Sequence, residues 1–187
     1  MSIRKLLMVA AVAVPFLASS GAALANDKAK NQAEVREKAQ RTLNDFYKAD
    51  ANLKGELEKA SGYAVFTTYG LSFIVGGAGG KGLAHNNKTN KDTFMDLALA
   101  SAGVQVGASD TRYLFLFSDP KALQQFIDKG WTAGGAASAA AGAGEDRTVG
   151  SGTGEFAGGR LYTLTKAGLQ AGGAVQGTKA WKDKKLN

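Results

Sequence analysis

Tyr63-Ala64-Val65-Phe66-Thr67-Thr68-Tyr69 and Leu71-Ser72-Phe73-Ile74-Val75, parted by Gly70, decide the fold of this chain. Both runs are rich in β-branched and aromatic residues, which suit a pleated surface better than a helix. A glycine between two such runs is turn punctuation. Comparable runs recur downstream. Residues 81–85 close on the polar turn Asn86-Asn87-Lys88-Thr89-Asn90, and residues 94–107, 113–117, 156–165 and 169–177 follow. Residues 131–144 are mostly alanine and glycine and read as a strand crossing where backbones lie close. Residues 145–154 form a polar, glycine-rich loop.

Two helical signals stand beside the strands. Ser118-Asp119-Pro120 supplies a cap followed by proline in the first turn, Leu123, Phe126 and Ile127 share one face, and Gly130 ends the segment. Upstream, Val35, Ala39, Leu43, Phe46, Leu53 and Leu57 recur at helical spacing. Asp50 interrupts that stripe, and Gly55 is read as the break between a long helix and a short one. Residues 27–59 hold eight Lys/Arg against seven Asp/Glu, so the polar face is near neutral. Helices that lie on membranes usually carry a basic polar face. Packing on the chain's own sheet is therefore the expectation, with membrane contact as the alternative. The fold class predicted is α+β: mainly an antiparallel β-sandwich or barrel of about seven to nine short strands, with an N-terminal amphipathic helix and one short internal helix.

Composition agrees with that architecture. Of 25 glycines, 24 lie between Gly55 and Gly177, about one residue in five there against a usual share of roughly 7%. Prolines number only two, Pro15 and Pro120. Abundant glycine without proline argues for tight turns and close backbone contacts in a sheet, not for a linker. The chain has no cysteine, so stability rests on packing, and no lipid-modified cysteine tethers it.

The first residues carry an address. Arg4 and Lys5 precede an apolar run over residues 6–17, and Ala23-Leu24-Ala25 places small residues at Ala23 and Ala25, the positions a signal peptidase reads. The expected organisation is a signal peptide over 1–25, a helical segment over 26–60 packed on the domain, and a glycine-rich β domain over 61–187. The run is too short to span a bilayer, which needs about 20 apolar residues, and no later run reaches that length. The mature protein is expected in the periplasm or secreted. Without Arg4 and Lys5 the net charge of +7 becomes +5. That mild basicity favours anionic surfaces such as phospholipid headgroups, and no basic-aromatic motif points to nucleic acid.

The motifs for chemistry fail in context. Gly77-Ala78-Gly79-Gly80-Lys81-Gly82 fits the dinucleotide pattern, as Gly152-Thr153-Gly154-Glu155-Phe156-Ala157 fits its looser form, but neither is followed by the helix that receives a pyrophosphate. The phosphate-loop spacing puts Val75 where its first glycine belongs. His85, the one histidine, has no cysteine or second histidine with which to hold zinc, and no nucleophile elbow occurs. It reads as a surface residue at a strand end. No cofactor, no metal and no enzymatic activity are expected. Carboxylate chemistry leaves little trace in sequence, which keeps an enzyme as a third reading. Lys179-Ala180-Trp181-Lys182-Asp183-Lys184-Lys185 has four lysines against one aspartate beside an indole. Two readings stand for it: a weak contact with an anionic bilayer, or a solubilising tail with Trp181 capping the barrel.

These glycine and C-terminal motifs resemble the SYLF family of lipid-binding domains. The residues that carry the likeness are Ala60-Ser61-Gly62-Tyr63-Ala64-Val65-Phe66, Val75-Gly76-Gly77-Ala78-Gly79-Gly80-Lys81-Gly82, Val104-Gln105-Val106-Gly107, Gly130-Trp131-Thr132-Ala133-Gly134-Gly135-Ala136-Ala137-Ser138 and Gly177-Thr178-Lys179-Ala180-Trp181-Lys182-Asp183. The likeness runs from about Leu53 to Asn187. Ala78 stands where many relatives carry an acid, and residues 163–166 lack an arginine common in eukaryotic members. The resemblance thus implies general anionic phospholipid binding, without phosphoinositide selectivity. The function expected is an exported, non-catalytic module contacting anionic phospholipid or a membrane surface. Its lipid-binding residues are expected to be Lys179, Trp181, Lys182, Lys184 and Lys185, with a loop of Gly76, Gly77, Gly79, Gly80, Lys81 and Gly82 that lets backbone approach. A structural or stress-related envelope protein acting through self-association or protein partners is the alternative.

Overall fold

A computed structural model describes residues 19–68, 78–99, 111–132, 154–165, 168–171 and 178–187. The second apolar run (71–75), Gly76 and Gly77, residues 100–107, most of 131–144 and residues 172–177 lie outside the described residues. The elements in chain order are α1 (Ser19–Ala49), α2 (Asn52–Lys59), β1 (Gly62–Thr68), β2 (Ala78–Asn86), β3 (Lys91–Leu99), β4 (Arg112–Phe117), α3 (Pro120–Lys129), β5 (Trp131–Thr132), β6 (Glu155–Phe156), β7 (Gly159–Thr165), β8 (Gly168–Ala171) and β9 (Thr178–Lys182). The nine described strands form one antiparallel sheet along the path β5-β9-β3-β2-β1-β4-β7-β6, with β8 also paired to β7. The class is α+β as expected.

Of the two sheet architectures predicted, the barrel-like one is found. β5 and β4 are five strand spacings apart on the path, about 24 Å in a flat sheet. The Trp131 ring of β5 nevertheless lies 4.9 Å from the Phe115 ring of β4. Phe156 of β6, at the path's other end, lies 6.0 Å from the same ring. The sheet curls until both terminal strands reach Phe115. Its concave face collects Phe66, Met95, Leu97, Phe115, Phe117, Leu161 and Ala180, and α3 closes that face with Leu123, Phe126 and Ile127.

Strand alternation sends the other set of side chains outward. Val65, Leu83, Leu114, Leu116 and Leu164 meet Ala39, Leu43 and Phe46 of α1 and Leu53 and Leu57 of α2. The amphipathic stripe is buried on the sheet. A buried hydrogen bond between the Thr42 and Thr67 hydroxyls pins α1 to β1. Arg36–Asp92 at 2.8 Å and Arg112–Asp45 at 3.5 Å hold its flanks. The helix break needs a correction. Gly55 sits inside α2, and the chain turns instead at Asp50, whose side chain accepts from the Asn52 amide at 2.9 Å. Such an Asx turn offers the backbone an alternative to helix, a signal stronger than one glycine. α1 starts at Ser19 and so runs through Ala23 and Ala25.

Two further readings change. Gly79, Gly80, Lys81 and Gly82 belong to β2 and are not a loop. A Cβ at Gly82 would lie 2.0 Å from the Val65 carbonyl oxygen, and one at Gly80 2.7 Å from that of Thr67. Those glycines admit a neighbouring strand, and a turn-like composition hides a strand. The C-terminal lysine–tryptophan segment is likewise a strand, β9, paired with both β3 and β5. Around α3 the expected punctuation holds. Asp119 accepts from the Lys121 amide at 2.9 Å, Pro120 opens the helix, and Gly130 at φ +75° closes it. Replacing Asp119 by Ala is expected to destabilise the fold by about 1 kcal/mol, read as a lowered denaturant midpoint with unchanged slope.

Candidate functional site: a cleft between the first helix and the sheet

Alternation along β9 turns Ala180 into the core and leaves Lys179 and Trp181 on the α1 side. Register then builds a row. Trp181 stands opposite Asp96 of β3, and Asp96 opposite Lys81 of β2. The Lys81 ammonium donates to Asp96 Oδ1 at 2.8 Å and to Asp183 Oδ2 at 2.6 Å. Two sequence motifs, 102 residues apart at that contact, thus meet in one place. Between the row and the flank of α1 lies a cleft of about 660 Å³. Asn31, Glu34, Val35 and Lys38 form its helix wall, Leu186 shares the apolar floor with Val35, and Lys185 stands at the edge.

Asp183 organises the segment beyond β9. Its side chain is only 5% exposed. Besides Lys81 it accepts from the backbone amides of Lys185 at 2.8 Å and Leu186 at 3.2 Å. Asn187 pairs with both backbone groups of Phe94, at 3.0 and 2.8 Å, and Gln32 of α1 donates to the Leu186 carbonyl at 2.6 Å. The last residues are therefore clasped between β3 and α1. Burial would raise the Asp183 pKa, but Lys81 and the two amides outweigh it and hold the carboxyl below its ordinary range. Burial would likewise lower Lys81, and its hydrogen bonds to Asp183 and Asp96 raise it instead.

The expected site residues divide. Gly79, Gly80, Lys81, Trp181 and Lys185 all line the cleft. Lys81 is committed to two carboxylates and is no loose cation. Lys179 is exposed on the face of Trp181, whereas alternation sends the exposed Lys182 to the opposite face. Lys184 is exposed in the turn that follows. The four lysines do not form one patch. Asp96, Asp183, Glu34 and Lys38 were not among the residues singled out. The lone aspartate inside a lysine run was the available signal for Asp183.

His85 is not a simple surface residue. Its ring stacks on Tyr63 at 5.2 Å, and Nδ1 lies 2.8 Å from Asp92 Oδ1. Asp92 also receives Arg36 of α1 at 2.8 Å. Burial would raise the Asp92 pKa, and His85 and Arg36 together lower it. Burial also pushes the Tyr63 hydroxyl up to about 12. This group joins α1 to the β2–β3 hairpin. Among the described residues no cluster of three or more His, Cys, Asp or Glu side chains is placed to hold a metal ion, and no helix is long and apolar enough to cross a membrane.

The Ysc84 family model, described as a Las17-binding protein actin regulator, matches residues 98–187. These include β4, α3, β9 and the clasped end. Beta cell expansion factor A of Aeromonas veronii is 30% identical over 129 residues, which is 69% of this chain and 48% of that protein. The chain spans about half the length of that relative.

Proposed function

We propose that this chain, whose residues 98–187 match the Ysc84 (SYLF) family model, is an exported, non-catalytic module that contacts phospholipid through the face bearing Trp181. The observation that carries this reading is the meeting of the indole and Lys185 at the α1 cleft, with Lys179 exposed on the same face of β9. No ion-pair partner of Lys179, Lys184 or Lys185 occurs among the described residues. Cations of that kind beside an interfacial ring are attracted to an anionic bilayer. The leader-like residues 1–25 support export to the periplasm or medium.

Each lysine near an anionic surface contributes about 1 kcal/mol. Replacing Lys179, Lys184 and Lys185 by Gln together is expected to weaken binding to phosphatidylglycerol vesicles about 100-fold, with Lys182→Gln alone costing less because it faces away. Co-sedimentation across vesicle concentrations measures this. Equal binding by wild type and triple variant, or no sedimentation with anionic vesicles at all, defeats the reading.

A further inference from the structure

Charge in the cleft is balanced, which is unlike a site built for an anion alone. Glu34 and Lys38 pair with each other on α1, Asp96 and Asp183 hold Lys81 on the sheet side, and Lys185 supplies the third cation of the lining. The balance is also uneven in space. Lys81 lies between two carboxylates, so the Asp96–Lys81–Asp183 row has one surplus negative charge beside the indole. Asp96 uses Oδ1 for Lys81, while its Oδ2 has no partner among the described residues and its side chain is 25% exposed. A surplus carboxylate next to an aromatic ring suits an organic cation, which the ring's negative face also attracts. At the edge the sign reverses at the exposed Lys185.

We propose that the cleft is a headgroup site for a zwitterion in which an ammonium is joined to a phosphate. The ammonium seats between the Trp181 ring and Asp96, and the phosphate meets Lys185. Phosphocholine and phosphoethanolamine share this chemistry. The volume of about 660 Å³ falls within the usual range for small-molecule sites and exceeds what a headgroup fills. The remainder lies over Val35 and Leu186, an apolar floor fit for the ester and first methylenes of a lipid. The proposal rests on the reading of this face as the lipid-contacting one. It differs in the charge selected, because a purely anionic group would meet Asp96 unaided.

The test titrates the full chain with soluble phosphocholine and phosphoethanolamine, by calorimetry and by tryptophan fluorescence, with inorganic phosphate and choline as separate probes. Trp131 is buried on the concave side and serves as the unresponsive background. The expected result is saturable binding at least 10-fold tighter for one of the zwitterions than for phosphate or choline. Trp181→Leu and Asp96→Asn should each weaken it about 10-fold, while Trp181→Phe should retain most of it. Thermal melts verify folding, and Lys81 keeps Asp183 in Asp96→Asn. A second arm compares phosphatidylcholine with phosphatidylglycerol vesicles. Binding of both soluble zwitterion and phosphatidylcholine vesicles supports a lipid headgroup as the ligand. Binding of soluble zwitterion alone supports the site but sinks the membrane reading. No saturable zwitterion binding, or phosphate binding equally well, overturns the site, even if phosphatidylglycerol vesicles still sediment the protein and leave the membrane reading intact.

Discussion

Phe115→Ala is expected to destabilise this protein by about 3–5 kcal/mol, the range for removing a buried aromatic ring. Phe115 is fully buried. Its ring lies within 6.0 Å of Phe66, Phe126, Trp131 and Phe156, which come from β1, α3, β5 and β6. No neighbour can refill the space without uncurling the sheet, because Trp131 and Phe156 hang from short strands at opposite ends of the path. Such a loss is a large part of the 5–15 kcal/mol that a domain usually has. Urea unfolding followed by tryptophan emission measures it, and Trp131 should shift toward water even before the transition. Phe94→Ala is the comparison. Phe94 lies outside that aromatic cluster, on the α1 side with Val35 and Leu186, and its loss should leave Trp131 emission unchanged. A cost below about 1 kcal/mol for Phe115→Ala would mean that the strands do not converge on this ring.

Why this curl was invisible beforehand follows from the physics of strands. Period-two alternation in Tyr113-Leu114-Phe115-Leu116-Phe117 marks two buried faces, and that much is local. Which strand ends up over Phe115 depends on twist accumulated across the sheet, and no single segment records it. α3 was legible because Asp119, Pro120 and Gly130 act within the helix they delimit. The α1 stripe was legible for the same reason. Gly55 misled because glycine's cost in a helix is only about 1 kcal/mol, less than the packing of Leu53 and Leu57 recovers. Gly79 to Gly82 misled in the opposite direction, since close approach between strands and a mobile turn select the same residue.

The site was half legible. Trp181, Lys185 and the β2 glycines with Lys81 were each marked by composition, and the cleft does unite them. Their charge logic was not. A run such as Lys182-Asp183-Lys184-Lys185 reads as a net positive tail, but Asp183 is the one of these four that is buried. Lys81 is spent on Asp183 and Asp96, so a count of local charge overstates what a ligand meets. Pairing across 102 residues is set by register and leaves no spacing signal.

Asp183→Ala is the variant that should separate the site from the fold. Removing the carboxylate deprives Lys81 of one bond and leaves the amides of Lys185 and Leu186 without their acceptor. A hydrogen bond to a charged group contributes about 1.5–3 kcal/mol, and a stranded amide costs about 1 kcal/mol or more. The expected loss is about 3–4 kcal/mol, moderated because Lys81 is 55% exposed and retains Asp96. The consequence should be local as well as global. Leu186 and Asn187 should detach from α1 and Phe94, which removes half of the cleft floor and loosens Lys185. Hydrogen exchange at the Phe94 and Leu186 amides is expected to speed up by at least 10-fold more than exchange in β1 or β4. The pH dependence has a definite sign. A depressed carboxylate pKa contributes stability that is present above the ordinary value of about 3.9 and is lost as pH falls through the folded-state value below it. Wild type should therefore lose stability relative to Asp183→Ala across that acidic window, and the gap between them should be constant at neutral pH. Lys81, raised in the folded state, contributes fully below about 10.4 and loses its share as pH climbs past it. Asp183→Asn should fall between the two, because its amide oxygen still accepts from the Lys185 backbone. If all three proteins show the same acid limb, the clasp on Lys81 is not what holds the chain's end against β3.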